Sequence, residues 1–155
     1  MKTLKHCNHK LDLSNYGIHE EFIVFRLPFG YDFHNNLEFE KFEDYEDAVY
    51  IFTIRSIMDS KNSKKYKDEK QSNWHHKFIY CGKTSDIQKR FNDHHAAKDI
   101  MKEKANCICL CVCENKRDSD KLEKLLLGKF KFPVNKKDNS GEIVDFIKEA
   151  ILAMH

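Results

Sequence analysis

The chain has 155 residues, of which 41% are hydrophobic and 34% are charged, and its formal net charge is +2. This length suits one domain with a hydrophobic core, and the balance of residue types is ordinary for a soluble globular protein. No apolar run is long enough for a membrane helix, and no apolar stretch follows the basic N-terminus as in a secretory signal. Six cysteines without an export signal predict reduced thiols in a cytoplasmic protein.

The charge is distributed unevenly along the chain. Residues 1–47 carry five basic and ten acidic side chains, a net −5, so the remainder carries +7. A basic body behind an acidic segment is compatible with a phosphate-rich ligand, although solvation of the surface would also explain it. We expect residues 1–47 to form an acidic N-terminal extension that packs on the domain behind it.

Two strands are predicted in the first part of the chain. Residues 21–27 (EFIVFRL) predict a strand that is ended by Pro28 and Gly30. Residues 48–55 (AVYIFTIR) predict a second strand, which is apolar on both faces. Residues 31–47 between them are acidic and aromatic, and their pattern does not separate helix from loop.

A polar, basic stretch covers residues 59–76 and is almost free of aliphatic side chains. We expect a long solvated insertion loop there, with His75 and His76 in water. Its lysines are equally consistent with binding the DNA backbone and with keeping a loop soluble: Lys61, Lys64, Lys65, Lys67 and Lys70.

A strand and a helix are predicted after the insertion. Residues 77–81 (KFIYC) predict a strand that ends at Gly82. The helix is expected to begin at Ser85, which matches a capping box with Gln88 three residues later.

Residues 106–113 (NCICLCVC) predict a buried strand by composition and length. Four cysteines alternate along it and so project from one face: Cys107, Cys109, Cys111 and Cys113. A straight strand that rises about 3.3 Å per residue cannot bring all four to one zinc ion. We therefore interpret them as small apolar core residues.

Two further helices are predicted. Residues 118–120 supply the start of the first, and Asp120 forms a second capping box with Glu123. Residues 142–154 (EIVDFIKEAILAM) predict an amphipathic terminal helix within a C-terminal segment, 138–155. Packing on the domain is the expected role of that helix, with a dimer seam as the alternative.

Several polar side chains stand where a fold does not require them. Tyr50 lies in the middle of one strand and Tyr80 near the end of the next, and neighbouring antiparallel strands can place two phenols side by side. Arg90 flanks the apolar stripe of the following helix, with His94 at i+4 on the same side. Glu123 shares its helix face with leucines, where a carboxylate needs a cation or hydrogen bonds.

The two tyrosine motifs resemble those of the GIY-YIG nuclease family. Residues 48–50 (AVY) and 80–84 (YCGKT) look like its paired GIY and YIG elements, with substitutions that keep size and strand propensity and spare both tyrosines. The step between them is longer than the family's usual short hairpin, and we assign the excess to the insertion at 59–76. The resemblance covers about residues 48–137.

The resemblance continues beyond the two motifs. Arg90 falls ten residues after Tyr80, where the family has its catalytic arginine, and His94 stands where many members have histidine. Glu123 opens the later helix, as the family's metal-binding glutamate does. Asn135 resembles the asparagine that closes the domain.

The resemblance implies an α/β (α+β) fold with a small central antiparallel sheet of three or more strands flanked by helices. It implies a nuclease domain over 48–137 that hydrolyses phosphodiester bonds of DNA, with RNA as the alternative substrate. One divalent ion per site is implied, Mg²⁺ or Mn²⁺. The oligomeric state, monomer or homodimer, is left open.

The chemistry of the residues agrees with these implied roles. Glu123 offers a hard oxygen ligand for the metal, and Arg90 offers a fork that matches phosphate geometry. Tyr50 would position or deprotonate the water, helped by a nearby cation because an unperturbed phenol has a pKa of about 10; His94 is the alternative base. Four residues are assigned to binding or orienting the substrate or to proton transfer: Tyr80, Lys83, His94 and Asn135.

Other interpretations remain open at this point. The tyrosines could be packing residues, Arg90 could pair with Asp86, and Glu123 could only complete a helix cap. A module of the same fold could bind nucleic acid without cutting it. The acidic N-terminal segment could serve protein interaction, or could mimic DNA and cover the active face.

Overall fold

The structure is a computed structural model that describes residues 2–4, 6–27, 37–39, 47–55, 76–92, 96–135 and 142–143. The elements in these ranges, in chain order, are β1 (Lys2–Leu4), β2 (His6–Leu11), a 3₁₀ turn (Ser14–Tyr16), β3 (Phe22–Arg26), β4 (Leu37–Phe39), β5 (Asp47–Arg55), β6 (His76–Thr84), α1 (Ile87–Asn92), α2 (Ala97–Lys102), β7 (Cys107–Cys113), α3 (Lys116–Lys129), β8 (Phe130–Lys131) and β9 (Glu142–Ile143). The insertion up to residue 75, His94 and residues 144–155 of the expected terminal helix lie outside the described residues.

Five strands form one antiparallel sheet in the order β2-β3-β7-β5-β6. This confirms the predicted central antiparallel sheet of three or more strands. Strands β2 and β3, from the acidic N-terminal part of the chain, pair in the same sheet as β5, β6 and β7. Strand β5 is paired on both sides, by β7 and by the edge strand β6, which agrees with the apolar character of β5 on both faces.

Helices cover both faces of this sheet. Helices α1 and α2 bury Ile87 and Ile100 in the cluster on one face, where Tyr50 and Tyr80 also lie. Helix α3 buries Leu122, Leu126 and Leu127 in the cluster on the other face. The result is an α+β arrangement with separate cores above and below the sheet, as predicted.

Strand β6 differs from its prediction in two ways. It does not end at Gly82 but continues to Thr84, because Gly82 is itself paired in the ladder with β5. His76 is not in water: it is buried, and its Nδ1 lies 2.8 Å from Oγ1 of Thr53. The polar neighbours of His76 in sequence suggested a loop, but its cross-strand partner gives the imidazole a hydrogen bond inside the sheet.

Both helix starts were misassigned from the sequence. Helix α1 begins at Ile87, and Asp86, not Ser85, accepts a hydrogen bond from the backbone N–H of Lys89 (3.1 Å). Helix α3 begins at Lys116, where the side chain of Asn115 caps the N-terminus. Because the helix starts earlier than expected, Glu123 lies in its interior and is not part of a cap.

The cysteine strand has the predicted character. Cys107, Cys109 and Cys111 are buried in the cluster beneath α3, and Cys113 is half-buried. Burial raises the pKa of the Cys111 thiol to about 12, with Cys113 adding to the effect. Among the described residues, no group of three or more His, Cys, Asp or Glu side chains is arranged to hold a metal ion. The burial of Cys107, Cys109 and Cys111 supports their interpretation as core residues.

The C-terminal part of the chain begins differently from its prediction. Glu142 and Ile143, expected to open the terminal helix, form β9 and pair in parallel with β8. Within the described ranges, none of the helices combines the length and apolar content needed to cross a bilayer.

Candidate active site at the edge strand

A β-bulge in β6 determines which face of the sheet Tyr80 occupies. Phe52 pairs with Tyr80, and the next residue of β5, Thr53, pairs with Phe78, so Ile79 is an extra residue in β6. Strict alternation would place Tyr80 on the same face as Phe78. Because of the bulge, Phe78 packs beneath α3 while Tyr80 lies on the opposite face, toward α1.

The bulge brings the two phenols of the motifs together. The rings of Tyr50 and Tyr80 are roughly parallel, with centroids 6.1 Å apart and an interplanar angle of 28°. Tyr50 lies across the ladder from Gly82, and its ring covers that glycine. A Cβ at position 82 would lie 2.5 Å from the Tyr50 hydroxyl oxygen. Only glycine leaves room for this ring.

The outer edge of β6 is held by the segment that follows β8. The backbone N–H of Val134 donates to the carbonyl of the bulged Ile79 (3.1 Å). The side chain of Asn135 accepts from the N–H of Cys81 and donates to its carbonyl, both at 2.8 Å. The amide of Asn135 thus imitates a neighbouring strand and satisfies backbone groups that an edge strand leaves open.

The charges of Arg90 and Glu123, on two different helices, both shift the pKa values of the two phenols. Burial raises the pKa of Tyr80 to about 12, Cys81 and Glu123 add to this, and Arg90 together with a hydrogen bond from Tyr50 opposes it. Burial also raises the pKa of Tyr50 well above its usual value, with Arg90 again opposing. Both phenols are protonated at neutral pH in the free protein. The positive charge of Arg90 and the negative charge of Glu123 both act on them.

Lys83 lies on the α3 side of β6 and forms an ion pair with Asp120. The hydrogen bond from Lys83 lowers the pKa of Asp120, and the same bond raises the pKa of Lys83, to which Glu123 also contributes. Asp120 stands one helical turn before Glu123 on α3. Lys83 is therefore held within the electrostatic reach of Glu123.

The structure places most of the expected site residues in one region. The charges of Arg90 on α1 and Glu123 on α3 both act on Tyr50 of β5 and Tyr80 of β6. The charge of Glu123 also acts on Lys83. Asn135 binds the backbone of Cys81 at the outer edge of β6. His94 lies outside the described residues.

Three features of this region were not identified from the sequence. Asp120 was interpreted only as part of a cap, although its place three residues before Glu123 puts both carboxylates on one face of α3. Gly82 was interpreted as a strand end, although it is the seat of the Tyr50 ring. The bulge at Ile79 leaves no signal in the sequence beyond two large aromatic residues at alternate positions.

Comparison with curated proteins and with solved structures found no match. The family model of the GIY-YIG catalytic domain matches residues 48–138, which is more than half of the chain. The matched segment includes both tyrosines as well as Arg90, Glu123 and Asn135. This agrees with the order of the motifs and with the sheet and helices that bring them together. The chain therefore belongs to the GIY-YIG nuclease family.

Proposed function

We propose that this protein is a metal-dependent endonuclease that hydrolyses phosphodiester bonds of DNA, with Tyr50, Tyr80, Arg90 and Glu123 in one active site. One observation carries the proposal: the charges of Arg90 and Glu123, from two different helices, both act on the phenols of Tyr50 and Tyr80. Packing alone does not require that a cation on one face of a sheet and a carboxylate on the other both act on the same two phenols.

The donor groups of this region fit a hard divalent cation. Glu123 is a half-buried carboxylate, and its charge acts on the phenol of Tyr80. The nearby Cys81 is a protonated thiol, because burial raises its pKa well above the usual value, so it is a poor ligand for a soft metal. Mg²⁺ is often held by one or two carboxylates together with waters and substrate phosphates, and Mn²⁺ accepts the same ligands. We assign the metal to Glu123; when bound, the ion would polarise the phosphoryl oxygen and acidify a water.

Arg90 and Lys83 are suited to hold the phosphate. The guanidinium of Arg90 matches two phosphate oxygens, and its half-buried position on α1 directs its charge toward both phenols. Lys83 supplies a point charge on the other side of β6. Asn135 is better assigned as a positioning residue than as a substrate contact, because both ends of its amide already bind the backbone of Cys81.

The two tyrosines would act as a hydrogen-bonded pair. Their raised pKa values make both phenols hydrogen-bond donors in the free protein, and neither is a base at neutral pH without help from a cation. The hydrogen bond from Tyr50 and the charge of Arg90 favour ionisation of Tyr80. We assign the pair to orienting the attacking water and the phosphate, and to accepting a proton once a cation lowers the pKa.

A plasmid nicking assay tests the proposed function. Supercoiled DNA is incubated with the protein in Mg²⁺ or in EDTA, and Glu123→Gln and Arg90→Ala are compared with the control Glu103→Gln. Glu103 is an exposed carboxylate at the C-terminal end of α2. We expect nicking in Mg²⁺ only, with rates about 10²–10³-fold lower in the two site variants and unchanged in the control.

The outcomes separate the two candidate functions. Binding of DNA or RNA without cleavage of any substrate tried would identify the non-cleaving module instead. Equal nicking by all variants would show that the cleavage has another source.

A further inference from the structure

One face of α3 carries a row of charged side chains beside Glu123. Lys116, Asp120, Glu123 and Lys124 follow at i, i+4, i+7 and i+8, a spacing that places them on the same side of a helix. The lysines are exposed, while Asp120 and Glu123 are half-buried toward the sheet. Two lysines therefore border the two carboxylates on the solvent side.

Lys83 from β6 completes this cluster. It forms an ion pair with Asp120, and the charges of Lys116 and Lys124 lower the pKa of the same carboxyl further. Three ammonium groups thus surround one aspartate. This leaves a surplus of positive charge next to the carboxylate that we assign to the metal.

The dimensions of the row suit a nucleic-acid backbone. Lys116 and Lys124 are eight residues apart, which corresponds to about 12 Å along the helix axis. One strand of a DNA duplex advances about 3.4 Å along the duplex axis per phosphate, so α3 laid along that axis would span roughly three to four phosphates. Lysines act on phosphates as point charges and read no bases, so such contacts position the substrate without selecting its sequence.

We propose that Lys83, Lys116 and Lys124 bind the phosphates that flank the scissile bond, and that Asp120 holds Lys83 in place and competes with phosphate for it. This inference rests on the proposed function, since it places the substrate beside Glu123. Asp120 then has a restraining role: its carboxylate orients Lys83 in the free protein and lowers the affinity for DNA.

A binding titration tests the inference without cleavage. Fluorescence anisotropy of a short labelled DNA duplex is measured in EDTA across a series of salt concentrations. The proteins are the unchanged chain, Lys116→Met/Lys124→Met, Asp120→Asn and the control Lys129→Met. Lys129 is an exposed lysine at the C-terminal end of the same helix, where its side chain lies near Gly17.

Each variant has a distinct expected result. The double lysine variant should bind more weakly, and the slope of log affinity against log salt should become shallower by about 1.8, or about 0.9 for each lost phosphate contact. Asp120→Asn should bind more tightly than the unchanged chain. Lys129→Met should match the unchanged chain in both affinity and slope.

Other results would overturn the inference. An unchanged slope in the double lysine variant would show that Lys116 and Lys124 do not contact phosphates. Equal or weaker binding by Asp120→Asn would show that Asp120 does not restrain Lys83. Thermal unfolding of each variant shows whether a change in binding reflects the fold. Nicking by the unchanged chain together with an unchanged slope would reject this inference alone, whereas the predicted slopes without nicking would reject only the proposed endonuclease activity.

Discussion

The ring of Tyr50 lies directly over Gly82, so that a Cβ added to the glycine would come within 2.5 Å of the Tyr50 hydroxyl oxygen. The two residues face each other across the β5–β6 ladder, and Tyr50 is almost fully buried. The ring cannot move away without disturbing the packing around it. The glycine of the second motif is therefore needed to position Tyr50, the tyrosine of the first motif.

Gly82→Ala should displace Tyr50 and reduce both stability and cleavage. Overpacking of this kind costs about 1–3 kcal/mol, which urea unfolding would measure. Gly128→Ala on α3 is the matched control, because nothing lies within 4 Å of its added Cβ. Gly128 lies in the last turn of α3, where alanine is a better helix former than glycine, so this variant should be at least as stable as the unchanged chain. Wild-type stability and nicking in Gly82→Ala would contradict the proposed contact.

Asn135→Ala tests whether this residue positions β6 or binds substrate. Loss of the amide leaves the N–H and carbonyl of Cys81 without this partner, at a cost of about 1–3 kcal/mol for a buried group. We expect a lower free energy of unfolding and a lower kcat, since Tyr80 precedes Cys81 in the strand. The exposed Asn15→Ala should change neither. A raised KM with unchanged stability and kcat would instead indicate a substrate ligand.

Short runs of apolar, β-branched and aromatic residues predicted the strands that build the site. Strands β3, β5 and β7 lie close to their expected ranges, because their sequences are apolar, β-branched or aromatic and their faces are covered. Strand β2 was missed since HCNHKL has no clean period, and α2 was missed since six residues are too few to establish one. Both elements depend on tertiary packing more than on local preference.

The candidate site was predicted as a set of residues but not as a geometry. Motif order pointed to Tyr50, Tyr80, Arg90 and Glu123 as site residues, and each residue type matches a need of phosphodiester chemistry. The face that Tyr80 occupies depends on the bulge at Ile79, which strict alternation does not anticipate. Contacts between distant segments, such as Asn135 with Cys81, are set by the assembled sheet and not by local pattern.

Alkaline pH should destabilise the fold through its buried thiols. Burial raises the pKa of Cys111 from 9.0 to about 12. The folded chain holds this proton more tightly than the unfolded chain, so the contribution to stability is complete below pH 9 and is lost as pH rises toward 12. Urea unfolding at pH 8 and pH 10 should show a smaller fall in stability for Cys111→Ala than for the unchanged chain. An equal fall in both proteins would contradict this assignment.

Deleting residues 1–45 should unfold the domain, so this deletion cannot test whether the N-terminal segment covers the active face. The deletion removes β2 and β3, and β3 pairs with the central β7 and buries Phe22, Val24 and Phe25. Loss of two strands from a five-stranded sheet exposes its core, so we expect an insoluble product or one without cooperative unfolding. A folded, active deletion product would show that the remaining three strands suffice.

Neutralising acidic residues without removing strands is the sharper test of the DNA-mimic hypothesis. Glu43→Gln, Asp44→Asn and Glu46→Gln together remove three negative charges from the segment that precedes β5. If this segment competes with DNA for the active face, cleavage by the triple variant should increase at low salt, and the increase should shrink as salt screens the charges. The control Glu103→Gln, at an exposed position at the end of α2 and outside the acidic segment, should leave the rate unchanged. Equal rates in the triple variant and the unchanged chain at all salt concentrations would exclude autoinhibition by these charges.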